Sequence, residues 1–175
     1  SGGMGGALLA AGMSGGEAEA KALLFEKAGR ALSKAGGAPG PTSFFVPGRL
    51  EVLGKHTDYA GGSSLLCAVE RGVCLVASPR TDNRVRILDV AAAREVTFPL
   101  DPELVPRRGD WANYPMTVGR RIARNFPTAR RGADLAFVSD LPVASGLSSS
   151  TALTTSFFLA LAQVNALPET TAYTT

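Results

Sequence analysis

The sequence predicts an α+β fold, on three observations. Three segments carry apolar residues at helical spacing, and a block of short β-rich runs lies between the first two. Strands and helices do not alternate in the regular way a parallel sheet requires. A chain of 175 residues, 45% hydrophobic and 19% charged, is long enough to bury one real core.

Residues 1–16 begin Ser1-Gly2-Gly3-Met4-Gly5-Gly6 and hold no basic residue, Lys21 being the first. This makes a poor signal peptide, so a flexible tail over 1–16 and a cytoplasmic location are expected. Ser14 and Glu17 stand at capping-box spacing. Leu24, Phe25, Ala28 and Leu32 then give one apolar face to a helix over about 17–35. The run Gly36-Gly37-Ala38-Pro39-Gly40-Pro41 ends it. Short strands are expected at 43–46, 50–53, 65–69, 73–77, 85–88 and 95–98, punctuated by Gly61-Gly62 and Thr81-Asp82-Asn83. Tyr114, Val118, Ile122 and Phe126 mark a second helix over about 111–126. Residues 133–139 read as another strand, and an apolar helical run follows Gly146 to about Ala166.

Several function classes drop out early. No apolar run approaches the roughly 18–20 residues that a membrane span needs. Eighteen basic against fifteen acidic residues leave a net charge of +3, too small a surplus to argue for nucleic acid. Arg120, Arg121, Arg124, Arg130 and Arg131 lack interleaved aromatics and read as a solvated helix face with its following loop. Cys67 and Cys74 sit in apolar runs and read as small buried thiols. His56 is the only histidine and no CxxC pair exists, which argues against a His/Cys metal centre.

Two segments carry chemistry. The first, Pro142 to Ala152, follows a strand and opens a helix with Gly146-Leu147-Ser148-Ser149-Ser150. Small residues let backbone amides crowd around an anion, and a helix N-terminus adds unpaired N–H groups and partial positive charge. The serine hydroxyls can bind phosphate oxygens or complete a Mg²⁺ shell. A serine-capped helix after a tight turn is the alternative, and the missing lysine excludes a Walker P-loop. The second segment, Pro47 to Gly62, crowds Arg49, His56, Asp58 and the pair Gly61-Gly62 between apolar strands. Polar groups so placed are costly to bury without partners, and they suit a polyhydroxylated ligand better than a solvated turn. Arg49 suits charge developing on a transferred phosphoryl group.

Together these segments closely resemble galactokinase, a family of the GHMP-type small-molecule kinase superfamily. Pro47-Gly48-Arg49 and Gly54-Lys55-His56-Thr57-Asp58-Tyr59-Ala60-Gly61-Gly62 are similar to the family's PGRxNLIGEHTDYNGG segment, and Pro142 to Ala152 to its PxxxGLxSS phosphate loop. Asp110-Trp111-Ala112-Asn113-Tyr114 resembles the family's WxNY helix start. The resemblance implies a two-domain kinase whose N-terminal sugar- and ATP-binding domain occupies 17–175, a mixed β-sheet with helices on one side. It implies ATP-dependent phosphorylation of a monosaccharide at its anomeric hydroxyl, with Mg²⁺. The partners implied are sugar and ATP, with no nucleic acid and no membrane. By the same transfer Arg49 stabilises the transition state, and Lys55, His56, Thr57 and Asp58 line the sugar pocket. Trp111 and Tyr114 flank the adenine. Ala144, Ser145, Gly146, Leu147, Ser148, Ser149 and Ser150 wrap the phosphates, with Ser150 nearest the metal. Asp89 falls near a position that touches nucleotide in some relatives.

Three departures qualify the transfer. Lys55 stands where galactokinases place a glutamate, exchanging a hydrogen-bond acceptor for a cationic donor; an anionic or otherwise modified sugar would suit it. Ala144 and Ser145 replace glycines, narrowing the backbone options of the loop. The family's catalytic aspartate and second magnesium ligand are expected beyond Thr175, along with a C-terminal domain, so this chain alone is expected to have little turnover. A non-catalytic sugar and ATP sensor is the reading from another class.

Overall fold

The computed structural model describes residues 3–54, 58–105, 109–142 and 146–167. Helices α1 (Met4–Ala10) and α2 (Gly15–Lys34) lead into strand β1 (Thr42–Leu53), a short 3₁₀ turn (Asp58–Ala60) and strand β2 (Leu65–Pro79). The hairpin β3 (Arg84–Asp89) and β4 (Arg94–Pro99), helix α3 (Asn113–Asn125), strand β5 (Ala133–Ser139) and helix α4 (Ser149–Val164) complete the order. The strands form one sheet in the order β1-β2-β5-β3-β4. Neighbours run antiparallel except β3 and β5, which are parallel. The α+β expectation therefore holds, with a mixed sheet.

Alternation along β2 decides the layering. Val73, Leu75 and Ala77 pack in one cluster with Met116 and Ile122 of α3 and with Phe157 and Leu161 of α4. Val76 turns the other way onto Ala28 and Leu32 of α2, and Cys74 onto Phe25. Side chains of a strand alternate between faces, so helices cover both sides of the sheet. The expected one-sided arrangement is corrected here. The physical reason lies in the unbroken apolar runs of β2 and β5, which leave neither face of the central strands fit for water. Each fully buried side chain, such as Phe157 or Leu161, contributes about 1.5–3 kcal/mol of transfer free energy. Phe157 also meets Phe137 edge to face, with centroids 5.6 Å apart.

Where a flexible tail is expected, residues 4–10 form α1. Leu8 is buried there, with Met4 and Met13 packed nearby on Phe25 and Ala18 of α2. Ser14 holds the N-cap position of α2 without a side-chain cap bond, so the expected capping box does not form. Its hydroxyl donates to Glu70 Oε2 at 3.0 Å, and its amide donates to Glu70 Oε1. Glu17 instead accepts from Lys21, whose side chain is wholly buried. The Lys21 ammonium also pairs with Asp140 Oδ2 at 2.7 Å, and Asp140 Oδ1 accepts the Gly72 amide at 2.7 Å. Helix α2 is thereby tied to the residues that lead into the glycine–serine loop.

The runs expected as four short strands between 43 and 77 merge into two long ones. A register shift between Pro47 and Arg49 lets Pro47 and Gly48 sit inside β1 without ending it. Burial divides β2 sharply. Residues 72–78 are buried, whereas 65–71 are mostly exposed, so the outer half of the β1–β2 ribbon stands clear of the core. Leu50, Val52, Leu53, Leu65 and Leu66 are exposed along it. Of the two thiols expected to be buried, Cys74 is and Cys67 is not, because Cys67 lies on this outer half.

Candidate functional site

Three chain segments meet at one edge of the sheet. The first is β1 at its register shift. Gly48 is pressed so closely against its surroundings that a Cβ there would lie 2.4 Å from Leu141 Cδ2 and 3.1 Å from the Leu147 carbonyl. Only glycine admits that approach. It lets the Arg49 amide donate to the Leu147 carbonyl at 3.1 Å. Two motifs about a hundred residues apart in sequence are thus joined by a backbone hydrogen bond.

The second segment is the serine loop. Gly146 and Ser148 both adopt positive φ, 74° and 55°, turning the chain sharply into α4. Ser148 occupies the N-cap position without a side-chain cap bond, its carbonyl accepting the Ala152 amide at 3.0 Å. The serine-capped-helix alternative is therefore not what this residue does. Ser149 and Ser150 open the helix with exposed side chains. A helix start of this kind presents amides and hydroxyls to an anion.

The third segment is the start of α3. Asp110 Oδ1 accepts the Ala112 amide at 2.9 Å, and the Asp110 carbonyl accepts the Asn113 amide at 3.1 Å. That turn fixes Trp111 and Tyr114 on the rim of a cavity of about 460 Å³. Ser149 and Ser150 line the same cavity, and Val73, Phe137, Leu141 and Leu153 supply its apolar lining. Apolar lining with a few converging polar groups is the usual make-up of a small-molecule site. A further cavity of about 350 Å³ lies between α3 and α4, lined by Val118, Ile122, Phe126 and Phe158 away from the serine loop.

The structure thus brings Trp111, Tyr114, Ser149 and Ser150 to one cavity, with Arg49, Gly146, Leu147 and Ser148 in the segments adjoining it. Lys55, His56, Thr57, Ala144 and Ser145 lie outside the described residues, and Asp58 opens the 3₁₀ turn. Sequence reasoning missed Arg94. It stands opposite Asp89 in the β3–β4 register, and its Nη2 donates to Asp89 Oδ2 at 2.5 Å. Its guanidinium carbon also lies 4.8 Å from the centroid of the Trp111 ring. The available signal was a charge pair of opposite sign flanking the four-residue turn Val90–Ala93.

Comparisons with known proteins bear on the family and the fold. Residues 33–79 match the galactokinase galactose-binding signature, and residues 113–173 match the GHMP kinases N terminal domain. A galactokinase of Actinobacillus pleuropneumoniae serotype 5b is 39% identical over 109 residues, covering 62% of this chain and 28% of the relative. One from Chloroflexus aggregans is 40% identical over 128 residues, covering 71% and 32%. The chain therefore spans about a third of the length of these relatives or less. The crystal structure of Lactococcus lactis galactokinase complexed with galactose superposes with a TM-score of 0.67 at 26% identity, over 82% of this chain and 41% of that one. A Methanococcus jannaschii mevalonate kinase shares the fold, with a TM-score of 0.60 at 14% identity, over 71% and 40%.

Fold and signatures together define the class: a GHMP-type kinase N-terminal domain. Within that class its matches are to galactokinases: the galactose-binding signature over residues 33–79 and relatives 39% and 40% identical.

Proposed function

We propose that the protein carrying this chain transfers the γ-phosphoryl group of ATP to the anomeric hydroxyl of a monosaccharide. In this reading residues 17–175 are the sugar- and ATP-binding N-terminal domain. The observation that carries it is the Arg49–Leu147 backbone bond, which fastens the galactose-binding signature to a serine loop bordering the cavity of Trp111 and Tyr114.

Each residue then has a task suited to its chemistry. Trp111 and Tyr114 flank the base, where stacking contributes about 1–3 kcal/mol. The loop from Ala144 to Ser150 holds the phosphates through amides and hydroxyls at a helix N-terminus. Arg49 stabilises charge on the transferring group, and Lys55, His56, Thr57 and Asp58 hold the sugar hydroxyls. Mg²⁺ takes few protein oxygens and several from phosphate and water, a donor set that the exposed Ser150 hydroxyl fits. When bound, that ion neutralises phosphate charge. The residues of this chain bind and orient.

Sugar-dependent ADP release by the full-length protein is the test, with the product identified as an acid-labile anomeric phosphate. Release with galactose, abolished in Arg49→Ala, supports the reading. Saturable binding of both ligands without ADP release would favour a sensor, and failure to bind Mg²⁺-ATP would refute the site itself.

A further inference from the structure

We propose that Arg94 is a positioning residue for the nucleobase, acting through Trp111 and Asp89. The proposal rests on the nucleotide reading of the cavity given above and concerns the base end of that cavity alone.

Three side chains form one unit there. Asp89 ends β3 and is only 6% exposed, which makes an isolated carboxylate costly. Both of its oxygens are engaged: Oδ1 accepts the Ala92 amide at 3.1 Å, and Oδ2 accepts Arg94 Nη2 at 2.5 Å. The same guanidinium lies over the Trp111 ring. One cation therefore fixes the carboxylate in rotation and the indole in tilt. Asp89, Arg94 and Trp111 all line the cavity that Ser149 and Ser150 also line.

A planar guanidinium suits this double task and an ammonium does not. It pairs with a carboxylate through directed N–H groups while its own plane stacks on an aromatic ring. A purine entering the cavity meets an indole already held in place. Holding the ring beforehand spares the ordering cost at binding. The serine loop holds the phosphates independently, so the base end and the phosphate end separate experimentally.

Affinities of Mg²⁺-ATP and of inorganic tripolyphosphate are measured by calorimetry for the wild type, Arg94→Met, Arg94→Lys and Asp89→Asn, with folding checked by circular dichroism. Trp111 is the single tryptophan and reports the ring's environment directly. We expect Arg94→Met to weaken ATP about tenfold and to shift Trp111 emission, while tripolyphosphate binding stays unchanged. Arg94→Lys restores charge without the stacking plane and falls between. Asp89→Asn provides a second route should Arg94→Met fail to fold, with the same selective loss expected. Equal loss for ATP and tripolyphosphate, or ATP affinity unchanged in all three variants, overturns the inference and leaves the nucleotide site standing. A wild type that binds tripolyphosphate but gains nothing from the adenosine overturns it as well. A wild type that binds neither ligand refutes the nucleotide site and this inference with it.

Discussion

Replacing Asp140 by asparagine isolates the ion pair that ties α2 to the start of the serine loop. Lys21 has no exposed side-chain surface, whereas Asp140 keeps 28% of its own. Removing one partner of a buried pair costs about 3–5 kcal/mol, because the other charge stays buried without compensation. The partial exposure of Asp140 admits water and lowers that figure. Glu17 remains beside the fully buried ammonium and offsets part of the loss, so about 1–3 kcal/mol is expected for Asp140→Asn. Lys21→Met keeps most of the apolar stem and leaves Asp140 its Gly72 amide and water, for about 1–3 kcal/mol. In the double variant both charges are gone, so the two costs do not add, and a coupling of about 1–3 kcal/mol is expected. Urea unfolding followed by circular dichroism reads these values from the midpoints. If Asp140→Asn costs as much in the Lys21→Met background as in the wild type, the pair contributes nothing and the argument fails. The pair also carries a pH signature. Burial pulls the Lys21 pKa down, but hydrogen bonds to Asp140 and then Glu17 outweigh it and hold the value above 10.5. A raised folded pKa gives stability that is complete below the unfolded value and is lost as pH climbs through the folded one. The gap in stability between wild type and Lys21→Met should therefore hold steady from neutral pH to about 10 and narrow at higher pH.

Three other outcomes are expected. In native protein one thiol per chain, Cys67, reacts with a disulfide reagent; Cys74 reacts only on unfolding, because burial and then the Asp140 charge push it up to about 12. Equal rates for both thiols would contradict that packing. At Ser148, with φ 55°, glycine should leave thermal stability equal or higher, while valine should cost about 1–2 kcal/mol. A calorimetric scan decides it, and nucleotide affinity should fall in Ser148→Gly through the lost hydroxyl. Lys55→Glu should raise the ratio of kcat/KM for galactose over galacturonate; an unchanged ratio would remove Lys55 from sugar recognition.

What could be read from sequence was local. Helix α2 was visible because Phe25, Ala28 and Leu32 repeat along one face, and α4 because a long apolar run follows the serines. The ends of β3 and β4 were visible from alternation between turn residues, and β5 from its apolar run. The β1 and β2 ribbons were read in pieces, since Pro47-Gly48 and Gly72 look like breaks, and only tertiary pairing reveals a bulge that carries the strand through. The second helical layer escaped notice because periodicity gives a buried face and never says which side of a sheet it meets. At the site, the resemblance to galactokinase motifs singled out Trp111, Tyr114, Ser149 and Ser150, which line one cavity. The Arg49–Leu147 bond and the Arg94–Trp111 contact depend on how distant segments cross, which no local pattern encodes.

The outer half of the β1–β2 ribbon makes a lever. Gly48 and Gly72 mark its fulcrum, and a Cβ on Gly72 would lie 2.4 Å from the Val46 carbonyl, so packing there sets the angle at which the ribbon leaves the sheet. From Gly48 to Leu53 the arm runs about 17 Å at strand rise, and a 5° turn at the fulcrum carries its end through about 1.5 Å. The bond from Arg49 to Leu147 lies beside the fulcrum and scarcely moves, whereas Leu53 at the end of β1 takes the full displacement. Angstrom-scale displacement is enough to cost a reaction about a hundredfold. A change at Gly72 thus shifts the tip of the ribbon most and the Arg49–Leu147 contact least.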